Sequence, residues 1–215
     1  NIARNVIWKN ETVIDECIDL SGDPKRPGPW EARGLVMGNV QSGKTLNFIG
    51  LVNKAIDAGY HTIIVIGGHL KELREQTQER VDAGVMGRDS SKFGTGNKVA
   101  ITREPFGVGS SGLSGRPHHG TTFYSDFTAT QAKALGVNYS DGAVVFVVKK
   151  NYKIINNLKE WLEGWEDKSV LDRPMMLIDD EADYVSINTK HHKDEVTKTN
   201  DLIRDLLSLF HRNTY

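Results

Sequence analysis

The chain has 215 residues, with 27 Lys and Arg against 28 Asp and Glu and a formal net charge of -1. That length suits one large domain able to bury a core without disulfides or structural metals, and the balanced charge gives no argument for nucleic acid, membrane surface or acidic partners. A single cysteine, Cys17, excludes an internal disulfide and a cysteine-rich zinc site and fits a reducing, cytoplasmic setting, while no apolar run nears the roughly 20 residues of a membrane span and no signal pattern opens the chain.

In chain order, spaced apolar positions from Asn10 to Leu20 predict a helix, and the Gly and Pro residues between Ser21 and Trp30 break it. Residues 1–30 are therefore read as an N-terminal extension. Gly34-Leu35-Val36-Met37 is a short apolar strand candidate, and Thr45 to Ala58 carries helical spacing up to Gly59. Thr62-Ile63-Ile64-Val65-Ile66 is rich in β-branched residues, as suits a strand buried on both faces of a parallel sheet. A helix is predicted from Leu70 to Ala83. From Gly84 to Gly142 the pattern weakens into Gly, Ser and Thr, with Lys98 to Thr102 a short strand candidate, and this stretch reads as a loop-rich insertion. Regularity returns with a strand over Ala143–Val148, a helix from Tyr152 to Trp165, a strand over Pro174–Ile178 and a helix from Thr199 to Phe210. Strands alternating with helices predict a doubly wound α/β domain. Because the chain opens on Asn1 and stops at Tyr215 just after an apolar helical pattern, a piece of a longer protein is expected.

Two segments carry chemistry. Gly38-Asn39-Val40-Gln41-Ser42-Gly43-Lys44-Thr45 satisfies G-x-x-x-x-G-K-[ST], between a predicted strand and a predicted helix. Glycines let the backbone curl so that successive N–H groups point at phosphate oxygens, and the helix N-terminus adds its positive dipole end. Gly38, Gln41, Ser42 and Gly43 would supply backbone to the phosphates, Lys44 a mobile charge, and Thr45 a hydroxyl for Mg²⁺. A P-loop hydrolase also needs one carboxylate for the metal and one to orient water at the end of a neighbouring strand. Asp180 and Glu181, directly after Pro174–Ile178, stand where open α/β sheets bind ligands.

Asp180-Glu181-Ala182-Asp183 spells the DEAD tetrad, and with GNVQSGKT it resembles the first RecA-like domain of superfamily two helicases. The segments RGLVMGNVQSGKT, GLVNKAIDAGYHTIIVIGG, LREQTQERVDAG, VVFVVKKN, MMLIDDEAD and TNDLIRDLL are similar to the Z-one domain proteins. These are helicase-like ATPases, often labelled endonucleases, associated with bacterial restriction and defence.

The resemblance implies one RecA-like P-loop ATPase domain over residues 1–215, a mostly parallel sheet with helices on both faces. It implies Lys44 and Thr45 at the phosphates and metal, Asp180 at Mg²⁺, Glu181 polarising the attacking water and Asp183 coupling the site to neighbouring motifs. Arg74, Gln76 and Thr77 would stand where helicases contact the nucleic-acid backbone. ATP is the implied nucleotide and DNA the implied nucleic acid, with defence-system proteins as possible partners. No glutamine precedes Gly38, so the adenine-reading motif of DEAD-box proteins is missing, and no Asn-Lys-x-Asp guanine-reading motif is present. A second RecA-like domain, with its arginine finger, would lie beyond Tyr215, so slow hydrolysis by this chain alone is expected. Two other readings stay open: a metal-dependent endonuclease using the acids at 179–183, and a nucleotide-dependent scaffold or switch.

Three further patterns are read as structural. Gly107 to Gly112 fits G-x-G-x-x-G without a βαβ context and reads as a flexible loop. His118-His119 and His191-His192 read as polar loops, and Trp161 with Trp165 as helix packing.

Overall fold

The computed structural model describes residues 15, 18, 21–36, 43–93, 107, 117–138, 142–165, 167–182 and 193–215. Six described strands form one sheet: β1 (Trp30–Ala32), β2 (Thr62–Ile66), β3 (His118–His119), β4 (Val144–Val148), β5 (Met175–Asp179) and β6 (Arg212–Thr214). Their order is β1-β6-β5-β2-β4-β3 and every pairing is parallel. Five helices accompany them: α1 (Lys44–Ala58), α2 (Lys71–Val81), α3 (Ala129–Leu135), α4 (Tyr152–Glu163) and α5 (Lys193–Ser208). This is an α/β fold consistent with the expected RecA-like arrangement.

The strand sequences explain the layering. β2 and β4 are buried at every position, which is why they read as unbroken apolar runs rather than alternating ones. Successive side chains point to opposite faces. Ile64, Ile66, Val144, Phe146, Val148, Met175 and Leu177 pack with Leu158 and Leu162 of α4 and Leu202, Ile203, Leu206 and Leu207 of α5. Ile63, Val65, Val145, Val147 and Met176 pack with Phe48, Ile49, Val52 and Ala55 of α1 and Val81 of α2. The central strands are thereby covered on both faces.

The predicted β2 holds at Thr62–Ile66, and the predicted elements hold with shifted ends at α1, β4, α4, β5 and α5. Gly59, at φ 111°, ends α1 with its N–H on Ala55 and Ile56 carbonyls. α2 is shorter than predicted: it ends at Val81 and widens into a π-helical turn over Asp82–Met86. The strand expected at Gly34–Met37 is not formed at Gly34, Leu35 or Val36; the strand lies earlier, at Trp30–Ala32. Leu35 is 74% exposed, and Gly34 N–H donates to the Tyr215 carbonyl at 2.8 Å. Nor is His118-His119 a polar loop: it forms edge strand β3, and the His119 side chain is buried against Asp82. The loop-rich stretch after Gly84 thus contributes β3 and α3 to the fold. The strand candidate Lys98–Thr102 and His191-His192 lie outside the described residues, and so does the predicted helix Asn10–Leu20 except at Asp15 and Ile18, both helical. Of Gly107–Gly112 only Gly107 is described.

Candidate nucleotide site

In an all-parallel sheet the carboxyl ends of all strands open on one edge, and the segments leaving β2, β4 and β5 are knitted together there. Gly67 N–H donates to the Val148 carbonyl, Lys150 N–H to Gly68 and Asp180 N–H to Ile66, at 2.9, 2.6 and 3.1 Å. These bonds continue the ladder past the strand ends and set the heights of Lys150, Asp180 and Glu181. α1 begins at the same edge. Gly43 holds the left-handed conformation at φ 85° and its position carries no side-chain cap, and no acid lies in the first helical turn. Among the described residues no side chain caps the α1 N-terminus, which adds its orphan N–H groups and positive dipole end to the site, with Lys44 exposed beside it.

The charges of Lys44, Arg80 and Glu181 all act on Asp180, and Arg80 also bonds Thr45. Burial pushes the Asp180 carboxyl above its ordinary value; Arg80 and, less strongly, Lys44 pull it back, whereas Glu181 and Asp179 add to the rise. Arg80, in the last turn of α2, donates to Thr45 Oγ1 at 3.2 Å. Glu181 Oε2 lies 3.3 Å from His69 Nδ1. Gly68 permits that approach: it sits at φ +83°, and a Cβ there would come within 3.0 Å of Glu181 Oε2. Gly38, Gln41, Ser42 and Asp183 lie outside the described residues.

Asp179 has a structural part. Its carboxylate accepts from Lys150 Nζ at 2.7 Å, and the same ammonium reaches the Glu181 carbonyl at 2.9 Å. Both side chains of the pair are sealed, at 0% and 2% exposure. Burial, followed by the charge of Asp179, raises the Tyr215 phenol above its ordinary value. The turn carrying Asp180 and Glu181 is thus anchored from the end of β4 through Lys150.

The segment expected to meet nucleic acid is built differently. Arg74 is 2% exposed and Thr77 likewise 2%. The Arg74 guanidinium makes five hydrogen bonds, to the carbonyls of Val147, Phe123, Thr122 and Ser125 and to Gln78 Oε1, and Thr77 Oγ1 donates to the Leu73 carbonyl. Neither side chain is presented to a ligand; Arg74 ties residues 122–125 to the sheet. Gln76 alone of the three is exposed. Next to Arg74, Gln78, Asp82, Ser90, His119 and Thr121 complete a buried polar network. Trp161 and Trp165 pack edge to face at 4.7 Å, as helix packing predicts.

The nucleotide and metal can be weighed against these groups. An uncapped helix start after a left-handed glycine, an exposed lysine and a hydroxyl beside a desolvated carboxyl form a donor set suited to a triphosphate with its cation. Among the described residues no group of three or more His, Cys, Asp or Glu side chains is arranged to hold a metal ion. A Mg²⁺ bound through one or two protein ligands plus phosphates and water requires none. Among the described residues no helix is long and apolar enough to cross a membrane.

Sequence reasoning passed over Lys150, His69 and Arg80. Lys150 carried a usable signal, a lysine at the carboxyl end of a fully apolar strand, where ligand sites lie in open α/β sheets. Arg80 carried none, because only the packing of α2 against α1 brings it to Thr45.

No protein-family model matches the chain, and neither a curated protein nor a solved structure does.

Proposed function

We propose that this chain is the ATP-binding domain of a helicase-like ATPase acting on nucleic acid, with DNA as the expected strand, in bacterial defence or restriction. The observation that supports the nucleotide reading is that Lys44, at the start of α1, and Arg80, hydrogen-bonded to Thr45, both act on the half-buried carboxyl of Asp180, directly after β5. In this reading Lys44 holds the phosphate charge, Thr45 and Asp180 hold Mg²⁺, and Glu181 orients the attacking water and takes its proton. The bound cation supplies charge neutralisation at the transferred phosphoryl group. Lys150 holds the turn that carries both acids, so they are presented without a loop having to order first.

Support for a nucleic-acid partner comes from the motif resemblance, and Gln76 is the member of the 74–77 segment open to such a contact. Calorimetric titration with Mg-ATP and Mg-GTP tests the nucleotide half. Saturable ATP binding is expected, weakened tenfold or more by Lys44→Ala and made insensitive to Mg²⁺ by Asp180→Ala, about the loss of one charge-assisted contact. Undiminished binding by Lys44→Ala would remove the assignment. ATP turnover measured with and without DNA tests the other half, and equal rates would count against a nucleic-acid-dependent motor.

A further inference from the structure

We propose that Arg80 binds the terminal phosphate of the nucleotide in cis, acting on the same site and resting on the reading of that site as a nucleotide pocket. A guanidinium has five N–H donors in a rigid fork matched to phosphate and carboxylate oxygens. Among the described residues Arg80 makes one hydrogen bond, to the neutral Thr45 hydroxyl at 3.2 Å, and no ion pair. It is exposed on α2. Its charge nevertheless falls on Asp180, more strongly than that of Lys44. Arg80 thus bonds the hydroxyl, and its charge reaches the carboxylate, that are assigned to Mg²⁺, and among the described residues its other donors carry no partner.

The position of Arg80 is imposed by packing. Immediately after α2, Gly84 lies so close to α1 that a Cβ would come within 2.6 Å of Ile49 Cγ2. Asn53 of α1 bonds the Gly84 carbonyl at 2.9 Å. Asp82, at the start of the π turn, is held from the other side by Gln78, Ser90 and His119. The end of α2 is therefore locked to α1, and the Arg80 stem starts from a fixed point. The guanidinium rests on Thr45 Oγ1, the atom a metal ion would need. On binding, its N–H groups move to the terminal phosphate oxygens, and the Thr45 hydroxyl is released to the cation.

This predicts selectivity for the terminal phosphate. The experiment is calorimetry of the chain with Mg²⁺ and either a nonhydrolysable ATP analogue or ADP, comparing the parent with Arg80→Ala, Arg80→Gln, Arg80→Lys and Lys44→Ala. Both neutral variants should lose tenfold or more in affinity for the triphosphate analogue and less than about threefold for ADP, with Arg80→Lys between them and the parent. Because Arg80 is exposed, the variants should unfold at the parent temperature, and Arg80→Gln keeps the packing of the stem should Arg80→Ala fail to fold. Parent affinity of both neutral variants for the analogue, or an equal loss for analogue and ADP, overturns the role of Arg80 while a weakened Lys44→Ala leaves the site standing. No nucleotide binding by the parent, or full binding by Lys44→Ala, overturns the reading of the site and the role of Arg80 with it.

Discussion

Lys150 shows how one side chain can matter to a site without touching a ligand. Its ammonium is sealed against Asp179 and the Glu181 carbonyl, and removing one partner of a buried pair leaves the other charge unpaired, at a cost of about 3–5 kcal/mol. Lys150→Met is accordingly expected to lower the urea midpoint by that order, and adding Asp179→Leu to recover part of the loss. Simple addition of the two single effects would show that they do not act as a pair. At the opposite, amino end of β2, His61 is held neutral: burial first, and the neighbouring Arg173 second, lower it to about 4 from an ordinary 6.5. The unfolded chain then binds more protons between those values, so this contribution is complete above pH 6.5 and is lost as pH falls toward 4. Discounted for partial exposure, it amounts to roughly 1 kcal/mol. Unfolding curves of the parent and His61→Gln across that window should converge on acidification; parallel curves would show that His61 carries no such linkage.

Among the elements, the join between α1 and α2 matters most for the site. A π-helical turn adds a residue to the ring, and such turns occur frequently at functional sites. Here it turns Asp82 into the buried network of Ser90 and His119 while Val85 and Met86 face α1. Gly84 lets the two backbones close. Gly84→Ala places a methyl 2.6 Å from Ile49 Cγ2, a clash whose relief by overpacking costs about 1–3 kcal/mol. A lowered melting temperature is expected together with weaker Mg-ATP binding, as Arg80 moves from Thr45. Unchanged stability would mean that α1 can shift freely here. The short strands β1 and β6 teach the opposite lesson about legibility. Each has three residues, too few for a period to emerge, and Arg212-Asn213-Thr214 is wholly polar. These residues form a strand because β5 and β1 flank it and because Asn213 Nδ2 reaches the Leu207 and Phe210 carbonyls.

At the scale of the whole molecule, the proposed site gathers residues from both halves of the chain, so binding there is coupled to global unfolding. A ligand at 100 times its Kd that binds only the folded chain stabilises it by about 2.7 kcal/mol. Mg-ATP is therefore expected to raise the melting temperature by several degrees, in a concentration-dependent way, and Lys44→Ala to cut the rise to about half or less at the same concentration. An undiminished rise in Lys44→Ala would place the ligand elsewhere.

Residue pattern along the chain was enough for the layers, the central strands β2, β4 and β5 and the helix α1, because unbroken apolar runs and helical spacing are local signals that burial on both faces demands. It also marked Lys44, Thr45, Asp180 and Glu181 as the candidate site residues. Tertiary structure alone decided that Arg74 is a buried tie rather than a surface contact, that His119 is an edge-strand partner of Asp82, and that Arg80 stands at Thr45. A polar side chain reads the same along the chain whether it faces water or a ring of carbonyls. Only the approach of segments distant in sequence, here residues 122–125 to α2 and α2 to α1, decides which of the two it meets.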